Sequence, residues 1–484
     1  MSLTTAFSTA SSSLLNTAAQ LSASSRNIDG ASNTSYSRKI SVTVTNADGS
    51  TRINVVRASD LALFNRMKDA TSTSAKQTAL LAGLTTLQTT VGDVDNETSV
   101  AGKLGAFNTA LASYTNSPDD PILAQAAVTA AQDLATSLNT ASNVVQGARK
   151  DADAAIATSV SDVNDLLKQF ETANNAVVSA TVKGDDLSDV LDARDAILSK
   201  LSEEMGISTV TRGNNDMVIY TDSGVTMFDK SPRKVSFEAS TVYDGTVTGN
   251  AVFVDGVAVT GASATMPLKS GSIAGNAELR DTVAVTYQNQ LDEIARTLIS
   301  DFAEKDQVST GADKSGLFTN GTDSTIPSTL TKGLAAQISI NSAAVVSEGG
   351  SALTLRDGGM NGSNYTYNTA GTASYTARLT GVSSALSGTA TFDSSTQLGT
   401  GISLATFASG SVSWLEGLRS STSTAADTQK TFLSQASTSL SNATGVNTDQ
   451  EYAKQLELEH SYQASSKLIS IIGSMYDSLF AMIK

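Results

Sequence analysis

The sequence predicts an α+β, multi-domain, discontinuous molecule. N- and C-terminal helices pair as a coiled coil, a long helical bundle forms the body, and β-rich outer domains are inserted in the middle. Three observations carry this prediction. Both chain ends hold an apolar seam that steps by four and three residues in turn, residues 121–182 hold a longer seam of the same kind, and between 206 and 267 the apolar period shortens to two. A 4-3 step keeps apolar side chains on one face of a helix, where they meet a partner helix, whereas alternation marks a half-buried strand.

The first seam runs through Leu3, Phe7, Ala10, Leu14, Thr17, Leu21, Ser24 and Ile28. The last runs through Leu458, Tyr462, Ser465, Ile469, Ile472, Tyr476, Leu479 and Ile483, with Leu468 beside it. Neither segment contains proline, and each gives a helix of roughly 40 Å. Chain ends are ordinarily frayed and polar. Two well-patterned ends therefore point to assembly, although a stripe packing on its own core is the commoner fate of such a face. A terminal helix with an unburied seam is marginal in water, so both ends are expected to order on neighbours.

Between the seams, a turn-rich loop covers Asp29 to Ser37. Alternation at Ile40, Val42, Val44 and at Ile53, Val55 around Asn46-Ala47-Asp48-Gly49 predicts a hairpin. Helix returns by Asp60 and continues past Leu87. Asp120-Pro121 starts the longest helix, because Asp caps well and Pro suits the first helical position. Its seam holds Ala127, Ala131, Leu134, Leu138, Ala141, Val145, Ala148 and Ala152. After one extra four-residue step it continues through Ile156, Val160, Val163, Leu167 and Phe170. Such a stutter locally unwinds a coiled coil without breaking it. The helix reaches about Val182, roughly 90 Å, and a shorter one follows from Asp185 to Met205. Hairpins are expected at 218–228 and 252–259, then helix from Asn276 to Phe302. Residues 309–403, rich in Gly, Ser and Thr, read as β-rich with strands at Gln337–Ile340 and Tyr375–Leu379. Helices resume near Thr406. The expected division is a terminal coiled-coil assembly domain (1–40 and 445–484), a helical body (41–205 with 268–308 and 404–444), a small antiparallel β unit (206–267) and a β-rich outer insert (309–403).

Composition narrows the class. At 484 residues the chain exceeds one core. A net charge of −15 disfavours nucleic acid and anionic membrane surfaces. No apolar run is long enough for membrane insertion. The absence of cysteine excludes disulfides, thiolate metal sites and thiol catalysis. Charged residues are only 16%, against roughly 25% in an average soluble protein. That neutral-polar surface suits close-packed subunits and equally a plain extracellular protein. The N-terminus lacks the n- and h-regions of a secretory signal.

The segment Asn27-Ile28-Asp29-Gly30-Ala31-Ser32-Asn33-Thr34-Ser35-Tyr36-Ser37-Arg38 resembles the signature of bacterial flagellar rod, hook and hook-associated proteins. Asn27, Ile28, Tyr36, Ser37 and Arg38 match it. Thr34-Ser35 stand where the family has Pro-Gly, and Gly30 where it has a second Asn. Gly445–Glu451, Ser461–Ser465 and Met475–Leu479 resemble the closing motif of the same families. Asp189-Val190-Leu191-Asp192-Ala193-Arg194-Asp195 and Gly271–Asp281 are similar to the hook-associated protein 1 family, the hook–filament junction subunits. The resemblance spans nearly the whole chain except 309–403.

It implies a subunit exported unfolded by the type III pathway and held beforehand by an export chaperone. It implies a ring of copies between the hook protein and the second junction protein, with the terminal helices innermost. On this reading Leu3, Phe7, Leu14, Leu21, Ile28, Leu458, Tyr462, Leu468, Ile469, Ile472, Tyr476, Leu479 and Ile483 form the assembly surface. Asn27, Tyr36 and Arg38 lie in a loop expected to touch a neighbour.

Signals for chemistry are weak, and no cofactor, metal site or enzymatic activity is expected. The sole histidine, His460, has no Gly-x-Ser-x-Gly elbow beside it. Asp93-Val94-Asp95-Asn96-Glu97 lacks the glycine and final glutamate of a calcium loop and reads as a solvated turn. Arg194-Asp195 and Arg280-Asp281 read as structural ion pairs, and Trp414 as core. Gly271 and Gly275 suggest close backbone approach, with no Walker lysine following. Two rival readings remain: another axial protein of hook or distal rod, and a secreted adhesin or hydrolase with a binding insert.

Overall fold

A computed structural model of the chain describes residues 2–45, 51–91, 98–321 and 323–483. The expected turn at Asn46–Gly49 and the Asp93–Glu97 turn lie outside the described residues. Helix α1 spans Leu3–Gly30 and is capped by the Ser2 hydroxyl, which accepts from Thr5 N. Strands β1 (Lys39–Thr45) and β2 (Thr51–Arg57) form a two-stranded antiparallel ribbon, pairing Lys39 with Arg57 and Thr45 with Thr51. Asp60 caps α2 (Leu61–Gln88), and Ser99 caps α3 (Val100–Asn116). Helix α3 occupies a stretch that the sequence reading leaves unassigned.

Helix α4 (Pro121–Lys183) is 63 residues long. Asp120 accepts from Ile122 N and Leu123 N, Pro121 opens the first turn, and Gly184 closes the helix at φ +75°. The closing bond from Asp185 N to Ala180 O is the αL helix stop for which glycine is favoured. Every residue of the predicted seam from Ala127 to Phe170 is buried. The seam changes partners at its stutter. Up to Ala152 it belongs to one apolar cluster, with α2, α3 and residues 279–302, and from Ile156 it belongs to a second.

The second cluster joins α4 to α5 (Ser188–Glu204) and to small sheets. Strands β3 (Ile207–Thr211), β4 (Met217–Thr221), β5 (Thr226–Asp229) and β6 (Ser231–Pro232) follow one another in one antiparallel sheet. Strands β7 (Val235–Ser236), β8 (Phe253–Val254) and β9 (Val257–Ala258) make another. Both hairpins stand where turn chemistry places them. Asp255 and Gly256 both take positive φ, as a two-residue primed turn requires.

The next helix starts earlier than expected, as α6 (Ser272–Glu278), and passes through a π-helical turn at Leu279–Val283 into α7 (Ala284–Asp301). Gly271 and Gly275 do bring backbones together. A Cβ on Gly275 would lie 2.4 Å from Lys76 O of α2, and one on Gly271 would lie 2.3 Å from the Met205 Cα. Arg280 and Asp281 pair within the π turn at 2.7 Å. Arg194 and Asp195 do not pair, which corrects the expectation for them. Neighbours on an α-helix point to different sides, so Arg194 donates to Asn174 and Asn215 O while Asp195 meets Arg57 at 2.7 Å.

Residues 309–403 are not predominantly β. Strands β10 (Phe318–Asn320) and β11 (Ile338–Ile340) pair over three residues, and β12 (Thr389–Ala390) pairs with β13 (Ile402–Ser403) over two. Helices α8 (Leu334–Gln337), α9 (Thr354–Asp357) and α10 (Ala377–Ser387) account for more of the regular structure. The expected strand at Tyr375–Leu379 is thus the approach to α10 and its first turn. The apolar residues of this segment recur because they fill the first cluster: Phe318, Leu355, Leu379 and Phe392 pack with those of α3, α4 and α7. Helix α11 (Leu404–Thr444) returns along α2, with Trp414 half-buried against the same cluster, and α12 (Thr448–Ile483) runs back along α1.

The end of α7 carries a testable cost. Burial pushes the Asp301 carboxyl up to about 6, with Arg296 pulling against it. A negative charge at a helix C-terminus adds to the penalty. The folded value lies above the unfolded one, so the cost is absent below about pH 4, grows through pH 4–6 and is complete above. Asp301→Asn is expected to stabilise the protein by about 1 kcal/mol at pH 8, after allowing for solvent screening. The gain should shrink toward zero as pH falls to 4. Urea denaturation across that range checks this, and a gain independent of pH would refute it.

Candidate assembly interface

The two terminal helices pair antiparallel. Thr4 meets the Tyr476 hydroxyl at 3.3 Å, Ser13 meets Ser465 at 3.1 Å, and the Ser24 hydroxyl donates to Glu451 Oε2 at 2.8 Å. The predicted seams face each other in part, with Phe7, Tyr462 and Leu479 left exposed. Ala10, Thr17, Ser24 and Asn27 of α1 are buried, while Leu3, Leu14, Leu21 and Ile28 are half-buried. On α12 the buried positions recur every seventh residue: Glu451, Leu458, Ser465 and Ile472. Ile469 and Tyr476 are half-buried beside them. The side chain of Ile483 lies outside the described residues. Small and polar groups thus occupy much of the seam. They bring the helices close but bury little apolar surface, so the pair is weakly stabilised by itself.

Large apolar residues remain outside the pair. Leu468 (53% exposed), Ile471, Met475, Leu479 and Met482 (86% exposed) line one face of α12, at spacings of three and four residues. Tyr462 and Phe480 are also exposed, as are Phe7 and Leu15 on α1. Leu468 and Ile472, both assigned to the assembly surface from the sequence, therefore do different things: Ile472 (7% exposed) holds α1, and Leu468 faces outward.

The loop between α1 and β1 is committed within the chain. Asn27 is fully buried. Its amide donates to Lys39 O at 2.9 Å and Glu451 Oε1 at 3.0 Å, and its Oδ1 accepts from Lys39 N and the Tyr36 hydroxyl. The Tyr36 ring closes on Gly30, where a Cβ would lie 2.6 Å from it. Burial raises the Tyr36 phenol above its ordinary range, with Arg26 opposing. Ser37 N donates to Asp192, and the Arg38 backbone holds both chain crossings: its N–H donates to Thr444 O at 2.7 Å, and its carbonyl accepts from Ala58 N at 2.8 Å. The Asn-Ile…Tyr-Ser-Arg segment is thus the fastening between the chain ends and the body.

A row of carboxylates on the body receives this fastening. Asp186, Asp189, Asp192 and Asp195 recur every third residue, just before and along α5. Arg26 meets Asp186 at 3.3 Å and Asp189 at 3.5 Å; Lys39 meets Asp189 at 3.2 Å and also pairs with Asp192; Arg57 meets Asp192 at 3.1 Å and Asp195. The Lys39 side chain is fully enclosed, also lying over the Tyr36 ring. Burial pushes the Asp195 carboxyl up against the pull of Arg57. For Asp186 burial also pushes upward, but hydrogen bonds from Ser188 and Arg26 outweigh it. Sequence reasoning noted the Asp189–Asp195 motif but missed these partners, as well as Lys39, Arg57 and Glu451. The three-residue carboxylate spacing was the available signal, and it reads by default as a solvated helix face.

Among the described residues no group of three or more His, Asp or Glu is arranged to hold a metal ion, and no described helix is long and apolar enough to cross a membrane. His460 lies exposed on α12.

Paired chain ends fastened by polar groups to a long helical body define a mostly helical, multi-domain protein. The family described as "Flagellar hook-associated protein FlgK helical domain" matches residues 84–323. Flagellar hook-associated protein 1 of Salmonella typhimurium is 26% identical over 184 residues, covering 37% of this chain and 32% of that protein. Its Escherichia coli (strain K12) counterpart is 24% identical over 211 residues, covering 42% and 37%. The flagellar hook junction protein FlgK from Burkholderia pseudomallei gives a TM-score of 0.44 at 21% identity, over 53% of this chain and 47% of that one. Over these stretches the chain is similar to the flagellar hook-associated protein 1 family. The matched stretch spans about a third of the length of the curated relatives, at 32% and 37%.

Proposed function

We propose that this chain is a subunit of the hook–filament junction, outside the cell on the bacterial flagellum, and that copies of it assemble through their terminal helices into a tubular ring. The observation that carries this reading is the uncovered apolar face of α12 from Leu468 to Met482, on a helix whose opposite face already holds α1. A helix that is apolar on two sides requires a second partner for its outer side. In a ring that partner is the terminal unit of the next copy, and residues 1–40 with 445–484 act as the assembly domain. The hook protein adjoins the ring on one side and the second junction protein on the other. An export chaperone covers the same apolar face before the type III apparatus passes the chain outward. The role is mechanical adaptation between two tubular lattices, with no catalysis.

Two substitutions test the proposal. Leu468→Asp alters only the outer face, so the α1–α12 pair should persist while filaments are lost. Ile472→Asp removes a group buried against α1 and should separate the two helices as well. Filament counts in cells and hydrogen exchange of residues 3–30 in the purified protein read the two effects. Normal filaments on Leu468→Asp cells would refute the assembly face. Labelling of the whole hook would favour another axial position.

A further inference from the structure

The terminal unit meets the body across a joint whose direct fastenings are charged, over a cleft with both polar and apolar lining. Neither apolar cluster contains any residue of 2–58 or 445–483. The chain crosses the joint twice, between β2 and α2 at Ala58–Asp60 and between α11 and α12 at Gly445–Asn447. Beneath the crossings lies a cavity of about 940 Å³, lined by residues of the Gly30–Ser37 loop, Leu61, Phe64, Leu191 and Leu440. What fastens the two parts is ionic: Arg26 and Lys39 of the terminal domain, with Arg57 of the ribbon that packs on α1, set against Asp186, Asp189, Asp192 and Asp195 from the body side.

We propose that these seven charged groups form a latch, which holds the terminal helix pair at one orientation on the body in the free subunit and gives way to let it turn. The geometry suits such a device. The cations are staggered along the carboxylate row, and Asp189 and Asp192 each serve two of them. A turn of the terminal unit can thus move a cation to the next carboxylate in place of stripping it bare. Stepping between equivalent partners avoids the cost of leaving a charge enclosed and unpaired. Apolar packing would resist the turn because packed cores do not deform continuously, and here the cavity takes its place. Full enclosure of the Lys39 side chain and partial enclosure of Arg57 keep the pairs from being fully screened by ordinary salt. The inference rests on the joint alone and stands or falls separately from ring assembly.

The chain has no cysteine, so one spin-label pair can be placed cleanly, at Gln169→Cys on α4 and Gln463→Cys on α12, both exposed. Pulsed dipolar spectroscopy on the full-length protein should give one narrow distance distribution. Replacing Asp189, Asp192 and Asp195 together by Asn should broaden it at least twofold, with hydrogen-exchange protection of α4 and α7 unchanged. Arg57→Glu should broaden it as well, and Asp195→Arg added to Arg57→Glu should narrow it again. The last pair guards against simple misfolding, since a damaged joint would not be restored by exchanging the charges. An unchanged width in the triple variant, a failure of the exchanged pair to restore it, or an equally broad distribution in the unaltered protein would each overturn the latch.

Discussion

Arg280→Ala is expected to cost about 3–5 kcal/mol, because it strips a buried carboxylate of its counter-charge. Arg280 is fully buried in the π-helical turn. It pairs with Asp153 of α4, donates to Asn250 O at 2.7 Å and is chelated by Asp281. Burial works against the guanidinium charge, and the bonds to Asp281 and Asp153 more than offset it, so the group is held above its ordinary value. Asp153 also accepts from Ser240 N and the Tyr243 hydroxyl, both at 2.7 Å. Arg149, one turn earlier on α4, donates to Asp244 O and Val247 O. Residues 238–250 contain no strand and lie against the body through these groups. The expected result is a lowered urea midpoint together with fast exchange over 238–250. Replacing both members, Asp153→Leu with Arg280→Met, should recover most of the loss. A loss below about 1 kcal/mol in the single variant would show that Asp153 finds another partner.

Phe107→Ala is expected to cost a similar amount, about 3–5 kcal/mol, by emptying the centre of a three-ring cluster. Phe107 of α3, Phe302 after α7 and Phe318 of β10 are all fully buried. Their ring centroids lie 5.2–5.5 Å apart, with Phe318 edge-on to both others. This cluster is one of the places where residues 309–403 gain their hold on the helical body, since their own strands are too short to stand alone. Limited proteolysis should then cut within 303–345 before any other part of the body. Phe107→Leu, which keeps most of the volume, should lose less than half as much. Equal losses for Leu and Ala would mean that edge-to-face geometry outweighs volume here.

Much of this architecture was legible because helical seams are repetitive. Thirteen successive seam positions of α4, from Ala127 to Phe170, are all buried, and the same 4-3 rhythm at Val100, Leu104, Phe107, Leu111 and Tyr114 would have revealed α3. The meeting of α1 and α12 was legible from two matching seams, whereas its antiparallel sense was not. Residues 309–403 were misread because apolar residues scattered among Gly, Ser and Thr carry no period. They are buried by a surface contributed from elsewhere in the chain, which a local pattern does not encode. The joint was missed for another reason. Charges three residues apart on a helix look solvated until Arg26, Lys39 and Arg57 arrive from more than a hundred residues away. The seam held Ile472, which faces α1, and left Leu468, which faces out, beside it, but the sequence reading still assigned both to one assembly surface because both are apolar.

Helix α4, which runs unbroken through both apolar clusters, has a mechanical consequence. A beam shared by two cores leaves no soft section between them, because bending there would break packing on both sides of the stutter at once. Compliance is then confined to the end of the beam, beyond Gly184, where the connection is made by charges and a void. A load entering through the chain ends would be taken up at that one pivot and passed along the shaft undiminished. The subunit would thus behave as a stiff spoke on a swivelling foot.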